Sequence, residues 1–115
     1  MPPRPTTTDV FAAIAEPRRR ELVSLLAKKG PMPVGDMVEL TELSQPSVSK
    51  HLGLLREVGV VSVAKQGKQR IYKLEAEKLK AVYDWAKSFE SMWDGQLARI
   101  KATAEIRAAS ARKNN

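Results

Sequence analysis

Hydrophobic positions along the chain fall into short blocks separated by prolines and glycines. Val10, Phe11 and Ile14 recur at helical spacing and predict a first helix from about Asp9 to Ala15, capped by Thr8. Pro17 disfavours helical geometry at Glu16 but suits the first turn of a new helix. That second helix carries Leu22, Val23, Leu25 and Leu26 on its core side. Lys28 and Lys29 complement the negative end of its dipole, and Gly30 supplies the stop. Pro31 and Pro33 then break the chain before a short third helix over residues 34–40, with Met37, Val38 and Leu40 apolar.

The next block is the most informative. Ser44 can cap a helix beginning at Gln45, and Pro46 is tolerated because first-turn amides have no intrahelical partner. Val48, Leu52 and Leu55 fall at i, i+4 and i+7 and make a buried stripe. Pro46, Lys50, Gly53 and Glu57 point the opposite way, with Ser47 and Ser49 on the flanks. A helix that reads base edges in a major groove needs a small, polar outer face of this kind, because bulky apolar groups there would be neither buried nor useful.

Gly59 ends that helix. Residues 60–64 and 70–74 alternate as two strands, and Lys65-Gln66-Gly67-Lys68-Gln69 between them reads as a turn. From Glu75 the chain reads as one proline-free helix to about Ala109, with Leu79, Val82, Tyr83, Ala86, Phe89, Trp93, Leu97 and Ile100 spaced by three and four. An apolar stripe this long exceeds what three short helices and a hairpin can cover, which points to a second copy of the chain. The elements add up to a mainly α fold with a small β-hairpin. Residues 1–7 read as a flexible arm, 8–109 as the folded domain with its last helix over 75–109, and 110–115 as a disordered tail.

Composition narrows the chemistry. The chain has 115 residues, enough for one domain, and 43% of them are apolar, enough for a modest core. There is no Cys and a single His, which rules out disulfides, thiolate sites, two-histidine metal motifs and a catalytic triad. No apolar run reaches the length of a membrane span, and Met1–Thr8 has no signal-peptide pattern, so the expected location is the cytoplasm. The formal net charge is +7. Residues 1–43 are balanced, whereas residues 44–73 hold Lys50, Arg56, Lys65, Lys68, Arg70 and Lys73 against Glu57 alone. Positive charge therefore concentrates where the polar-faced helix and the hairpin lie, and the expected partner is anionic, with double-stranded DNA favoured by the polar-faced helix and RNA left open by the charge alone.

Read together, these residues resemble the ArsR-type winged helix-turn-helix repressors. The likeness is carried by Ala15-Glu16-Pro17-Arg18-Arg19-Arg20-Glu21-Leu22, by Leu43-Ser44-Gln45 with Val48-Ser49 and His51-Leu52, and by Leu55, Gly59-Val60-Val61, Gly67, Ile71-Tyr72 and Leu74. It covers residues 8 to 98. The resemblance implies a winged helix-turn-helix with a long C-terminal dimerisation helix, and a homodimer paired through its first and last helices. It also implies recognition helices in successive major grooves of an inverted-repeat operator, and repression of a promoter. Family members that sense metals use a cysteine pair on the third helix, where this chain has Pro33 and Gly35. Others use Asp and His on the last helix, where it has Asp84 and Asp94 but no His. The chain is thus similar to a metal-independent branch, with no metal site, no cofactor, and an effector, if any, of unread chemistry.

Single residues follow from these placements. Expected DNA contacts are Ser44, Gln45, Pro46, Ser47, Ser49, Lys50 and His51 on the helix and Lys65, Lys68, Gln69 and Arg70 on the wing. Gln45 can pair with adenine through two hydrogen bonds, whereas Lys68 and Arg70 suit phosphate. His51 is divided evenly between a DNA contact and a structural hydrogen bond. Arg18, Arg19 and Arg20 open a helix where the dipole prefers acids, so at least one is expected on phosphate or an acidic partner, with Glu16 and Glu21 offering intramolecular pairing instead. Expected dimer contacts are Phe11, Ile14, Leu79, Val82, Tyr83, Ala86, Phe89 and Trp93. Two other classes compete with a DNA-binding regulator: a winged helix docking a protein through its aromatic helix, and an RNA-binding winged helix. An enzyme ranks last, since nothing around His51 assembles a nucleophile, a base and an orienting group.

Overall fold

A computed structural model describes the backbone of residues 9–113 and the side chains of residues 9–109. The arm at 1–7, Thr8 and the last two residues of the tail lie outside the described residues. The chain divides into two compact units between Val82 and Tyr83.

The first unit begins with α1 (Val10–Ala15) and α2 (Pro17–Lys29). The cap of α1 is Asp9 and not Thr8: its carboxylate accepts the Ala12 N–H at 2.9 Å. Glu16 sits in extended backbone between the two helices, as the following proline requires, and its carboxylate accepts the Arg18 N–H to open α2. Helix α3 (Val34–Leu40) follows, then α4 (Gln45–Glu57), the strands β1 (Val61–Gln66) and β2 (Gln69–Leu74), and a 3-10 turn at Ala76–Leu79.

The arginines at the start of α2 answer a need of α1. A helix leaves its last four carbonyls without intrahelical partners. In α1 these belong to Ala12, Ala13, Ile14 and Ala15, and all four are taken by two guanidinium groups. Arg19 donates to Ala13 at 2.6 Å and Ala12 at 3.2 Å; Arg20 donates to Ile14 at 2.7 Å and Ala15 at 3.2 Å. Arg18 pairs with Glu16 at 3.1 Å. The dipole of α2 loses a little by this arrangement, and the C-terminus of α1 gains two cations where its own dipole favours them.

The core is a single cluster: Ala13, Leu22, Val23, Leu26, Met32, Met37, Val48, Leu52, Leu55, Val60 and Val61. The stripe Val48, Leu52 and Leu55 is 0% exposed. Helix α4 meets α1, α2, α3 and β1, so the element that carries the polar face is also the centre of the packing. Its end is a Schellman motif, with the Val60 N–H on the Leu55 carbonyl and the Gly59 N–H on that of Arg56, both at 3.0 Å. Gly59 takes φ +84° there, a conformation that favours glycine.

The strands pair antiparallel with Val61 opposite Leu74 and Gln66 opposite Gln69. Both therefore run further toward the tip than the expected 60–64 and 70–74, and the turn contracts from five residues to two. Gly67 has φ +62° while Lys68 stays negative, the pattern of a II′ hairpin turn. Met32 adds a bridge to this ladder, exchanging both backbone hydrogen bonds with Tyr72 at 3.1 and 2.9 Å. The segment between the two prolines is thus a one-residue third strand.

The expected single helix over 75–109 is three pieces: the 3-10 turn, α5 (Lys80–Lys87) and α6 (Glu90–Lys113). At the junction the Ser88 hydroxyl donates to the Trp85 carbonyl at 2.6 Å, and the Phe89 N–H bonds three residues back, to Ala86, at 3.1 Å. A side chain competing for a helix carbonyl and a switch to i−3 bonding tighten the turn and restart the helix. Helix α6 continues four residues past Ala109, into the stretch expected to be disordered.

Candidate nucleic-acid interface

Helix α4 reaches its position through its entry turn. The Thr41 hydroxyl donates to the Met37 carbonyl at 2.7 Å and accepts the Leu43 N–H at 3.2 Å, which fixes the link from α3. Ser44 then caps α4 by accepting the Ser47 N–H at 3.3 Å. Its hydroxyl oxygen serves the helix first. Gln45, Pro46, Ser49 and Lys50 are exposed, and Ser47 is half-buried. The first turn and a half of α4 therefore presents one amide, one hydroxyl and one ammonium to solvent, anchored from beneath by Val48 and Leu52.

The hairpin tip is wholly exposed from Ala64 to Arg70. Lys65 lies directly opposite Arg70 across the ladder. Like charges in that relation destabilise a hairpin, so their placement serves something other than folding. Lys73 at the base is different. It pairs with Glu75 at 3.5 Å, and the Ser62 hydroxyl donates to the same carboxylate at 2.8 Å, which holds Glu75 below its ordinary range. Among the described residues Lys50, Lys65, Lys68 and Arg70 form no ion pair.

His51 faces inward from this surface. Its Nδ1 lies 3.4 Å from Nη1 of Arg19. A guanidinium only donates, so Nδ1 accepts, and the neutral ring carries its proton on Nε2. The bond links α4 to the arginine that closes α1, the structural half of the sequence expectation. Sequence reasoning missed Arg19 in this role, because the carbonyls and imidazole it joins are not local to it in any helical pattern.

Burial, then the Arg19 charge, push the His51 pKa below its ordinary 6.5. Between the folded and unfolded values the unfolded chain binds more protons than the folded one. This contribution to stability is complete above pH 6.5 and is lost as pH falls toward the lower folded value. Denaturant midpoints measured from pH 7.5 to 5 should fall across the acidic part of that range, and His51→Gln should flatten the fall. Identical profiles for the two proteins would remove His51 from the account.

The expected dimer contacts divide between the units. Leu79 packs against the core of its own unit, and Val82 and Ile14 are half-buried. Phe11, Tyr83, Phe89 and Trp93 are exposed. Trp85 and Met92, which the three-and-four spacing omitted, are exposed at 58% and 62%. The rings of Trp85 and Phe89 meet edge to face at 5.4 Å, and the Lys87 ammonium stands 5.6 Å over Tyr83. Tyr83, Ala86, Trp93 and Leu97 line a shallow groove of about 240 Å³, edged by Lys87, Glu90 and Asp94.

Among the described residues no cluster of His, Cys, Asp or Glu could hold a metal ion, and no helix is long and apolar enough to cross a membrane.

Comparison with known proteins places this geometry. Residues 16–63, from the start of α2 into β1, match the family described as bacterial regulatory protein, arsR family. The transcriptional repressor SdpR of Bacillus subtilis is 36% identical over 89 residues, covering 77% of this chain and 98% of that protein. The arsenical resistance operon repressor of Escherichia coli is 33% identical over 94 residues, covering 81% of this chain and 77% of that one. A solved ArsR-like transcriptional regulator from Rhodococcus superposes with a TM-score of 0.65 at 27% identity, over 84% of this chain and 87% of the other. These relatives are transcriptional regulators and not enzymes. With its buried α4 stripe and Schellman stop inside the matched span, and a relative 36% identical aligned over 98% of its own length, the chain belongs to the arsR family and is a DNA-binding transcriptional regulator.

Proposed function

We infer that the chain works in the cytoplasm as a homodimeric repressor of an inverted-repeat operator, without a metal or cofactor. The observation that carries this reading is the division of labour in the first unit. An uncluttered polar turn stands on a fully buried stripe, and a separate hairpin tip holds three cations that form no ion pair among the described residues. Gln45, Ser47 and Ser49 read base edges, with Pro46 keeping the turn free of side chains that would clash. Lys50, Lys65, Lys68, Gln69 and Arg70 hold phosphates, and Ser44 and His51 keep α4 in position beside them. Phe11, Ile14, Tyr83, Ala86, Phe89 and Trp93 bury against a second copy, and a dimeric helix-turn-helix regulator meets an inverted repeat with its two recognition helices one turn of duplex apart. The names of the two relatives, both repressors, support the direction of regulation.

Selection of bound duplexes from a random pool at fixed salt tests the reading, and an enriched inverted repeat is the expected result. Light scattering on the eluting peak should give twice 12.8 kDa at micromolar concentration, with Trp93→Ala shifted toward the monomer and weaker on DNA. A pool without enrichment would favour a protein-docking winged helix, and a clean monomer would sink the dimer.

A further inference from the structure

The positive charge of this chain has a second centre. Residues 99–115 hold five basic residues against Glu105 alone, nearly the imbalance of the α4 and hairpin segment. The described part of this centre lies on α6. Arg99, Thr103 and Arg107 follow one another at i, i+4 and i+8 and form one exposed ridge. They line a shallow concave surface of about 370 Å³ with Ile100 and Ala104. Neither arginine has an acidic residue three or four positions away, the spacing at which helix-surface charges neutralise one another. Lys101 differs, with Glu105 four positions on. Among the described residues neither arginine forms an ion pair.

We propose that the Arg99–Thr103–Arg107 ridge is a second phosphate-binding surface, through which α6 grips the backbone of double-stranded DNA. The proposal rests on the chain being a DNA-binding regulator. Three properties select this partner. Two guanidinium groups, which only donate, flank a hydroxyl that can also donate, a set that suits phosphate oxygens. Eight residues of helix separate the arginines by about 12 Å, about the width of the major groove, so they can reach phosphates on opposite walls. A membrane surface fits poorly, because a helix lying on lipid keeps its apolar residues opposite its cations. Here Ile106 lies about 20° round the helix from Arg99, and Ile100 borders Arg99 on its other flank.

The test is the salt dependence of binding to random and preferred duplexes, measured for the whole chain. Each phosphate contact contributes about 0.9 to the slope of log affinity against log salt. Arg99→Gln with Arg107→Gln should lower that slope by about 1.8 per chain on both duplexes. Arg99→Lys with Arg107→Lys should restore it. An unchanged slope in the glutamine variant overturns the proposal and leaves the ridge to an acidic protein. A slope lowered equally in the lysine variant also overturns it, since the arginines would then act through packing. A wild-type chain that discriminates between the duplexes keeps the regulator reading intact whichever of these results is found. A wild-type chain that binds no duplex overturns both.

Discussion

Leu52→Ala should destabilise the protein by about 2–5 kcal/mol, the range for truncating a fully buried leucine in a core that cannot collapse around the gap. Leu52 is 0% exposed and lies at the middle of the α4 stripe, between Val48 and Leu55. Helices α1, α2 and α3 and strand β1 all meet α4, so the void would open where every layer converges. Domains of this size have about 5–15 kcal/mol in total, and each kcal/mol moves the midpoint by roughly 4–8 °C. The variant should therefore melt at least about 8 °C lower, measured at one fixed protein concentration so that the proposed self-association weighs equally on both proteins. Leu25→Ala, at a half-buried position, should lose much less. Similar losses at the two sites would mean that α4 is not the centre of the packing.

The features legible in the sequence are those set by neighbours within one or two turns. Ser44, Pro46 and the Val48–Leu52–Leu55 spacing mark the start and the inner face of α4, and Gly59 marks its end. Pro17 likewise separates α1 from α2 at Glu16. Features that depend on distant partners were not legible. Met32 pairs with Tyr72, forty residues away, and two flanking prolines disguise it as a simple break. Arg19 and Arg20 defy the dipole of their own helix because they complete another one. The restart at Ser88 has neither proline nor glycine to announce it; only a hydroxyl folding back on the Trp85 carbonyl marks it. The charge of residues 74–115 hid its own pattern, since residues 74–98 hold five acidic residues against three basic ones and cancel half of the basic excess that follows.

The same contrast between local reading and distant grip governs the last expected result. Gln45 opens α4 with its amide exposed, where a recognition helix meets base edges. Lys68 occupies the second position of the hairpin turn, with no carboxylate on it among the described residues. Base contacts carry sequence information, while phosphate contacts carry affinity and release counterions. Gln45→Ala should cost on the order of 1–3 kcal/mol on the preferred duplex and little on random DNA. Lys68→Ala should weaken both duplexes alike and lower the salt slope by ~1 per subunit. Titrating each variant against the two duplexes at several salt concentrations separates these effects. Discrimination left intact by Gln45→Ala would remove the first turn of α4 from the bases. A salt slope left intact by Lys68→Ala would make the wing solvated charge. Neither substitution touches the core cluster, so melting temperatures should stay near the wild-type value, and a change in binding then reports contact with DNA and not loss of fold.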